Sequence, residues 1–321
     1  MLDTETSACI IRRPAIGDPL EAHLRSHGPL TGLCLCLLLT SLSTVSASGQ
    51  DQSLAAKAGA QGSTLQDQIT RHERKLAAAR STQAQREEVV ELNTLGSLYR
   101  QAGETQKALD DCNQALAMET AAGNLPAQAL TQNIIGRIFI DLGQEKKALD
   151  LFSQILPVWR EASNKLGEAS TLTNTGMAYS NLGQKEKALD YYSQALPIWR
   201  ETGNKDGEAS ALDDMGRAYS DLGQGQQALD YLNKAMPLWR ETGNRAGEAL
   251  TTTNTGRAYA DLGQKQKALE FYDRGLADWR QVGNRQGEAL ALDDIGRVYS
   301  DLAQRQQALD YFNKALPIYR R

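Results

Sequence analysis

Histidine is almost missing from this chain: of 321 residues only His23, His27 and His72 are histidine, and all precede residue 81. A His-based catalytic triad or a zinc site therefore has nothing to be built from beyond that point. Cysteine is nearly as scarce. Cys9, Cys34 and Cys36 crowd into the first 47 residues and Cys112 stands alone after them, so the later region forms no internal disulfide. Gly-x-x-x-x-Gly-Lys-Ser/Thr, Gly-x-Ser-x-Gly and Cys-x-x-Cys are absent beyond residue 47, which removes the usual sequence signs of nucleotide, serine-hydrolase and dithiol chemistry. A surplus of one charge is lacking too, with Lys+Arg 35 against Asp+Glu 39, interspersed without a basic block. Nucleic acid is not an expected partner, because neutralising phosphates needs cations gathered on one face.

Residues 26–50 contain no Asp, Glu, Lys or Arg, and their centre, Leu33 to Leu39, is strongly apolar. The run turns to Ser and Thr and reaches Val45-Ser46-Ala47, where small residues stand at the spacing a signal peptidase reads. Residues 1–47 read as an export signal cleaved after Ala47, making the chain periplasmic or secreted. The apolar core is short for a membrane span of about 20 residues, so an uncleaved membrane anchor is the alternative, and a membrane is a partner only in that case. Acids among the first 29 residues (Asp3, Glu5, Asp18, Glu21) make the leader atypical. Residues 48–63, rich in Ala, Gly, Gln and Ser, read as a flexible linker, and 64–80 (Leu65, Ile69, Leu76) as a degenerate cap helix.

What is abundant is repetition. A glycine returns every 40 residues as Gly96, Gly136, Gly176, Gly216, Gly256 and Gly296. An aromatic follows each by three residues (Tyr99, Phe139, Tyr179, Tyr219, Tyr259, Tyr299), and Ala-Leu by twelve, from Ala108-Leu109 to Ala308-Leu309. In the copy at 164–203, Asn164 caps a helix carrying Leu172, Ala178 and Tyr179, and Gly183 stands where a left-handed residue ends it. A second helix follows with Ala188, Tyr192, Ala195 and Trp199 at period 3.6, until Gly203-Asn204 opens the next copy. There is no strand signal. Such units bury their apolar faces by stacking, so six copies over 81–321 give an all-α solenoid of antiparallel helix pairs.

Gly, Tyr three later, Ala twelve later, an aromatic sixteen later and Ala nineteen later resemble the tetratricopeptide repeat. The unit here is 40 residues, with Gly-Asn-x-x-Gly-Glu at the junction, as in 203–208. That longer variety is similar to the repeats of bacterial proteins with a CHAT (caspase-like) domain, of kinesin light chains and of Pins-type spindle regulators. The resemblance implies a right-handed superhelix and a protein-binding scaffold.

Most recurrent features have structural readings. Cys112 occupies the slot filled elsewhere by Phe152, Tyr192, Leu232, Tyr272 and Phe312, which marks a buried apolar position. Trp159, Trp199, Trp239 and Trp279 read as packing between copies, and Gly-Asn-Arg-Ala-Gly-Glu at 243–248 as an interhelix turn. Pro157, Pro197, Pro237 and Pro317 fall inside second helices and predict a kink or a helix end.

The site, if there is one, is expected on the first helices. Placed on a wheel of about 100° per residue, positions -4, -1, +3 and +6 from the repeat glycine form the apolar side, and -3, -2, +1, +4 and +5 the polar one. By the resemblance, the polar stripe lines the concave face and takes an extended peptide or a partner's surface. Copies four and six carry Asp213-Asp214, Arg217 and Asp221, then Asp293-Asp294, Arg297 and Asp301. Copies three and five carry Asn174 with Met177 and Asn181, then Asn254 with Arg257 and Asp261. Over 209–240, copy four matches copy six at 23 of 32 positions and copy five at 14, so the array has an 80-residue superperiod. The Asp residues read in two ways: as helix-stabilising pairs such as Asp213 with Arg217, four apart, or as acidic patches for a cationic partner. The stripe lacks Lys, unlike a basic carboxylate clamp.

The sequence thus predicts a non-enzymatic interaction scaffold without a cofactor or metal. A sensor arm of a CHAT-type peptidase system, its catalytic part on another chain, is the alternative. Because the sixth copy reaches Tyr319-Arg320-Arg321 with no polar cap following, Leu309, Phe312 and Leu316 are expected to lack cover, through truncation or through another molecule seated there.

Overall fold

The structure is a computed structural model and describes residues 64–319. The export signal, its cleavage site and the linker lie outside the described residues. Among those described, 13 helices and no strand occur. Helix α1 (Leu65–Ser81) comes first, followed by the pairs α2 (Gln85–Gln101) and α3 (Thr105–Ala121), α4 (Leu125–Asp141) and α5 (Glu145–Glu161), and α6 (Lys165–Asn181) and α7 (Lys185–Glu201). Then come α8 (Lys205–Asp221) and α9 (Gly225–Thr242), α10 (Arg245–Asp261) and α11 (Lys265–Val282), and α12 (Arg285–Asp301) and α13 (Arg305–Tyr319).

Each boundary has a local cause. Asn124, Asn164, Asn204, Asn244 and Asn284 accept the backbone N–H three residues on, satisfying a donor that a helix start leaves free. Helix α1 starts with a reciprocal capping box between Thr64 and Asp67. At the other ends a glycine at positive φ reverses the chain, as at Gly183 (φ +76°). Ser163 (φ 52°) and Ala303 (φ 58°) hold that conformation without glycine's freedom. The prolines do not end their helices: α5 runs four residues past Pro157, to Glu161. The last turn is held by Trp159, which is buried two residues after the proline.

Each helix packs on its chain neighbours, and successive first helices also touch, whereas successive second helices do not reach one another. The first helices therefore line the inner side of the curve. Within a pair, the repeat glycine admits the large side chain of the second helix. A Cβ at Gly176 would stand 2.6 Å from the Tyr192 ring, and one at Gly136 2.4 Å from Phe152. In the first copy the large partner is Cys112, wholly buried, its thiol pushed up to about 12 by burial. Aromatic pairs stack within copies three to six, with Tyr179 and Tyr191 5.3 Å apart between centroids. On α13, Leu309 and Leu316 are exposed as expected, whereas Phe312 is half-buried because its ring rests on Gly296.

Gly176→Ala is expected to destabilise the array by about 1–3 kcal/mol through overpacking against a fully buried ring. That exceeds the roughly 1 kcal/mol that alanine gains over glycine in a helix. The midpoint of denaturant unfolding reads the difference, and an unchanged midpoint would show that Tyr192 yields.

Candidate functional site

Every junction after the one between copies one and two is built around one indole. Trp199 lies flat on Gly207 of the next first helix, where a Cβ would approach the ring to 2.5 Å. Trp159, Trp239 and Trp279 sit likewise on Gly167, Gly247 and Gly287. The Gly-Asn-x-x-Gly-Glu string is therefore only half a turn: its first glycine and Asn make the reversal and cap, and its second glycine is the floor for tryptophan. Beside it, Arg200 Nε donates to Glu208 at 2.6 Å and Arg160 Nε to Glu168 at 2.8 Å.

The buried indole N–H needs an acceptor, and the acceptor alternates. Trp199 and Trp279 donate to Thr173 and Thr253, both at 3.1 Å, where Ala211 and Ala291 face the junction. Trp159 donates to Thr171 at 3.0 Å. Trp239 donates to Asp213 Oδ2 at 2.7 Å, which also accepts from Thr251 at 2.6 Å. In the first copy Glu119 replaces the indole and accepts from Thr131 at 2.8 Å, burial raising its pKa. The 80-residue superperiod thus has a packing cause: Thr171 and Thr251 head alternate copies, and the residue facing them changes in step.

Asp213 is 2% exposed. It does not belong to an open ligand face, and Arg217 pairs not with it but with Asp214, at 3.1 Å. Asn174, 5% exposed, is also internal, its amide donating to Asn133 at 2.9 Å. Asn254 is half-buried beside Asp213. At the end of the array Asp293 has no tryptophan to accept from, since Tyr319 stands 26 residues on, and it pairs with Arg297 four residues away at 2.8 Å.

The remainder of the stripe reaches the inner face. Asp221 is bracketed by Lys185 and by Arg257, the latter at 2.5 Å. Arg100 holds Asp141 at 2.9 Å, and Lys265 lies 3.7 Å from Asp301. Lysine, missing from the stripe itself, arrives from the second helices and neutralises part of its acid. Asp261 and Asp294 form no close ion pair; burial raises both carboxyls, Asp294 to about 6, against the opposing pull of Arg257 on both and of Arg297 on Asp294. Arg137 is exposed on this face, with Arg100 as a like-charged neighbour. No group of His, Cys, Asp and Glu among the described residues has the arrangement of a metal site.

The tetratricopeptide repeat family model matches residues 88–161, 127–201, 167–241, 207–281 and 249–321, overlapping across the whole array. The chain belongs to the tetratricopeptide repeat family. No curated protein matches it in sequence. Among solved structures it is similar in fold to apo RapI (TM-score 0.64, 14% identity, 83% of this chain and 94% of that one). It is also similar to a Rap protein complexed with Competence and Sporulation Factor (TM-score 0.63, 17% identity, 73% and 64%). A third is a signal transduction ATPase with numerous domains and a tetratricopeptide repeat sensor, from Pyrococcus horikoshii (TM-score 0.60, 14% identity, 90% and 44%).

Within this tetratricopeptide array the sequence pattern missed Glu119 and Lys185 as members of the polar network. Glu119 carried a usable signal, an acid in the tryptophan slot. Lys185 carried none, because it lies on a different helix from the stripe it serves.

Burial pushes the Asp213 carboxyl up to about 7, its hydrogen bonds from Thr251 and Trp239 opposing the rise. The folded state then holds a proton more tightly than the unfolded one, so this group's contribution to stability falls as pH rises from about 4 to 7. Asn133 and Asn93 occupy the equivalent position in other copies, so Asp213→Asn keeps an acceptor there. The variant is expected to be more stable than the parent by about 1–2 kcal/mol at pH 8, the gap closing by pH 4. Melting curves across that range check it. A variant less stable at pH 8 would mean that the charged carboxylate is the favoured partner.

Proposed function

We propose that this protein is a non-enzymatic scaffold that holds an extended peptide or a partner's surface on the inner face of the array. The observation that carries the reading is that face itself. Successive first helices abut and present Asp214, Arg217, Asp221, Arg257 and Asp261 in one row, a fixed set of charged anchors whose cost of ordering is met in folding. The similar Rap structure with Competence and Sporulation Factor, and another with the Phr* peptide (TM-score 0.59, 13% identity), support a peptide or protein as the ligand class. A partner with cationic residues suits copies five and six, where Asp261 and Asp294 form no close ion pair. A sensor arm for an enzyme on another chain, as in CHAT-type systems, is the second reading, supported by the likeness to the sensor-bearing ATPase.

Selection of displayed random peptides on the purified array tests the first reading. Lys- and Arg-containing sequences are expected to enrich. Their affinity should fall about tenfold in Asp261→Asn with Asp294→Asn, and fall with salt, since exposed charges are screened over about 10 Å at 0.1 M. Enrichment without basic residues, or affinity unchanged in the double variant, removes the cationic partner.

We further propose that the protein is exported, on the strength of the uncharged residues 26–50 and the Val45-Ser46-Ala47 site. N-terminal sequencing of material from the native host should begin near Ser48. A cytosolic chain beginning at Met1 would overturn this.

A further inference from the structure

The side of the array opposite the inner face carries a cavity found between α9 and α11, with a volume of about 310 Å³. The two helices do not touch, and α10 closes the gap from below through Thr252, Thr255 and Tyr259. Its origin is legible in the repeat. Positions four and one before the repeat glycine hold Leu92 and Leu95, Gln132 and Ile135, Leu172 and Thr175, Leu212 and Met215, and Leu292 and Ile295, whereas the fifth copy alone has threonine at both. In the junction before it, Leu212 and Met215 fill the equivalent space, packing with Leu196 and Trp199. Both threonine hydroxyls are spent on their own helix, Thr252 donating to Glu248 O at 2.8 Å and Thr255 to Thr251 O at 2.7 Å. Neither threonine hydroxyl is left as a free donor.

The walls mix apolar, polar and cationic side chains, Asn233 among them. Met236 and Pro237 line one side; Phe271, stacked on Tyr259 at 5.2 Å, lines the other. Arg274 stands over Phe271, 5.3 Å from its centroid, and Arg240 faces it across the opening. Arg240 is the odd member of its series. Arg160, Arg200 and Arg280 bond their glutamates at 2.8, 2.6 and 2.8 Å, whereas Arg240 keeps only a looser ion pair with Glu248 at 3.7 Å, without a hydrogen bond. No carboxylate lines the cavity. Two arginines thus line a site that Met236, Pro237 and Phe271 share with Asn233 and Tyr259, at the small end of the volumes that hold ligands.

We propose that this cavity binds a small carboxylic acid with an aryl or alkyl body. The body lies between Met236 and Phe271 over the two threonines, and the carboxylate takes the guanidinium donors of Arg240 and Arg274, which suit a planar anion. A neutral or cationic ligand of the same shape leaves those donors unused. The site is separate from the inner face and stands or falls independently of a peptide bound there.

Titration with 3-phenylpropionate, followed by saturation-transfer NMR and calorimetry on the whole chain, tests the proposal. Saturable binding with Kd of about 1 mM or tighter is expected for a ligand of this size. The neutral amide, 3-phenylpropionamide, should bind at least about tenfold more weakly, as should the acid to Arg240→Gln with Arg274→Gln. Thr252→Leu with Thr255→Met copies the filling of the fourth copy, so it should keep the fold, match or raise the melting temperature, and abolish binding. Equal affinity for acid and amide, binding that survives the filled variant, or no saturation by about 10 mM would overturn the assignment.

Discussion

The array depends on one contact repeated along its length: the indole of a second helix laid on a glycine of the next first helix, with its N–H satisfied by a buried side chain. In a repeat protein each unit is stabilised by its neighbours, so the junction decides whether copies cohere. A large apolar plate buries much area at once, but brings a polar N–H into a dry place where an unmet donor costs about 1–3 kcal/mol. The glycine and the inner acceptor are both consequences of that choice. So is the recurrence of Arg and Glu beside it, which bridge the same junction at its wet edge.

This constraint sorts the polar residues into two kinds. Those facing the indole are internal, whatever their charge: Thr173, Asp213 and Thr253 do the same task, and the Asp–Thr combination of one junction balances the Thr–Ala combination of the next. Those one position further round the helix, such as Asp214, are left at the inner surface, where they form ion pairs within and between copies. The inner face is what remains after the junctions have taken the acceptors they need. Its charge is smaller than a count of aspartates suggests, because Lys185 and Arg257 converge on Asp221.

The fifth copy departs from this economy. It keeps the glycine, the indole and the caps, yet gives up the apolar pair that fills the opposite side, and its neighbouring Arg240 loosens the edge bond that Arg160, Arg200 and Arg280 all make. Where local rules agree everywhere else, a site that breaks several at once is where function is to be sought.

How much was legible in the sequence follows from how far apart the interacting residues lie. Helix pairs, caps, turns and the buried slot of Cys112 were readable because their determinants are local: a period of 3.6 residues, an Asn three residues before its donor, a glycine at the reversal. The family was readable for the same reason, since its pattern recurs every 40 residues. The wheel also found the polar stripe, but could not divide it. Asp213 and Asp214 are adjacent on it, and only the packing of Trp239, 26 residues on, and Thr251, 38 residues on, closes over the first and leaves the second half-buried beside Arg217. Likewise the threonines of copy five look like ordinary helix residues until α9 and α11 flank them. The sequence by itself determined the elements and their order. Tertiary structure decided which charges are internal and where a cavity opens, because burial and Coulomb energy depend on distance in space, which the helix period does not encode.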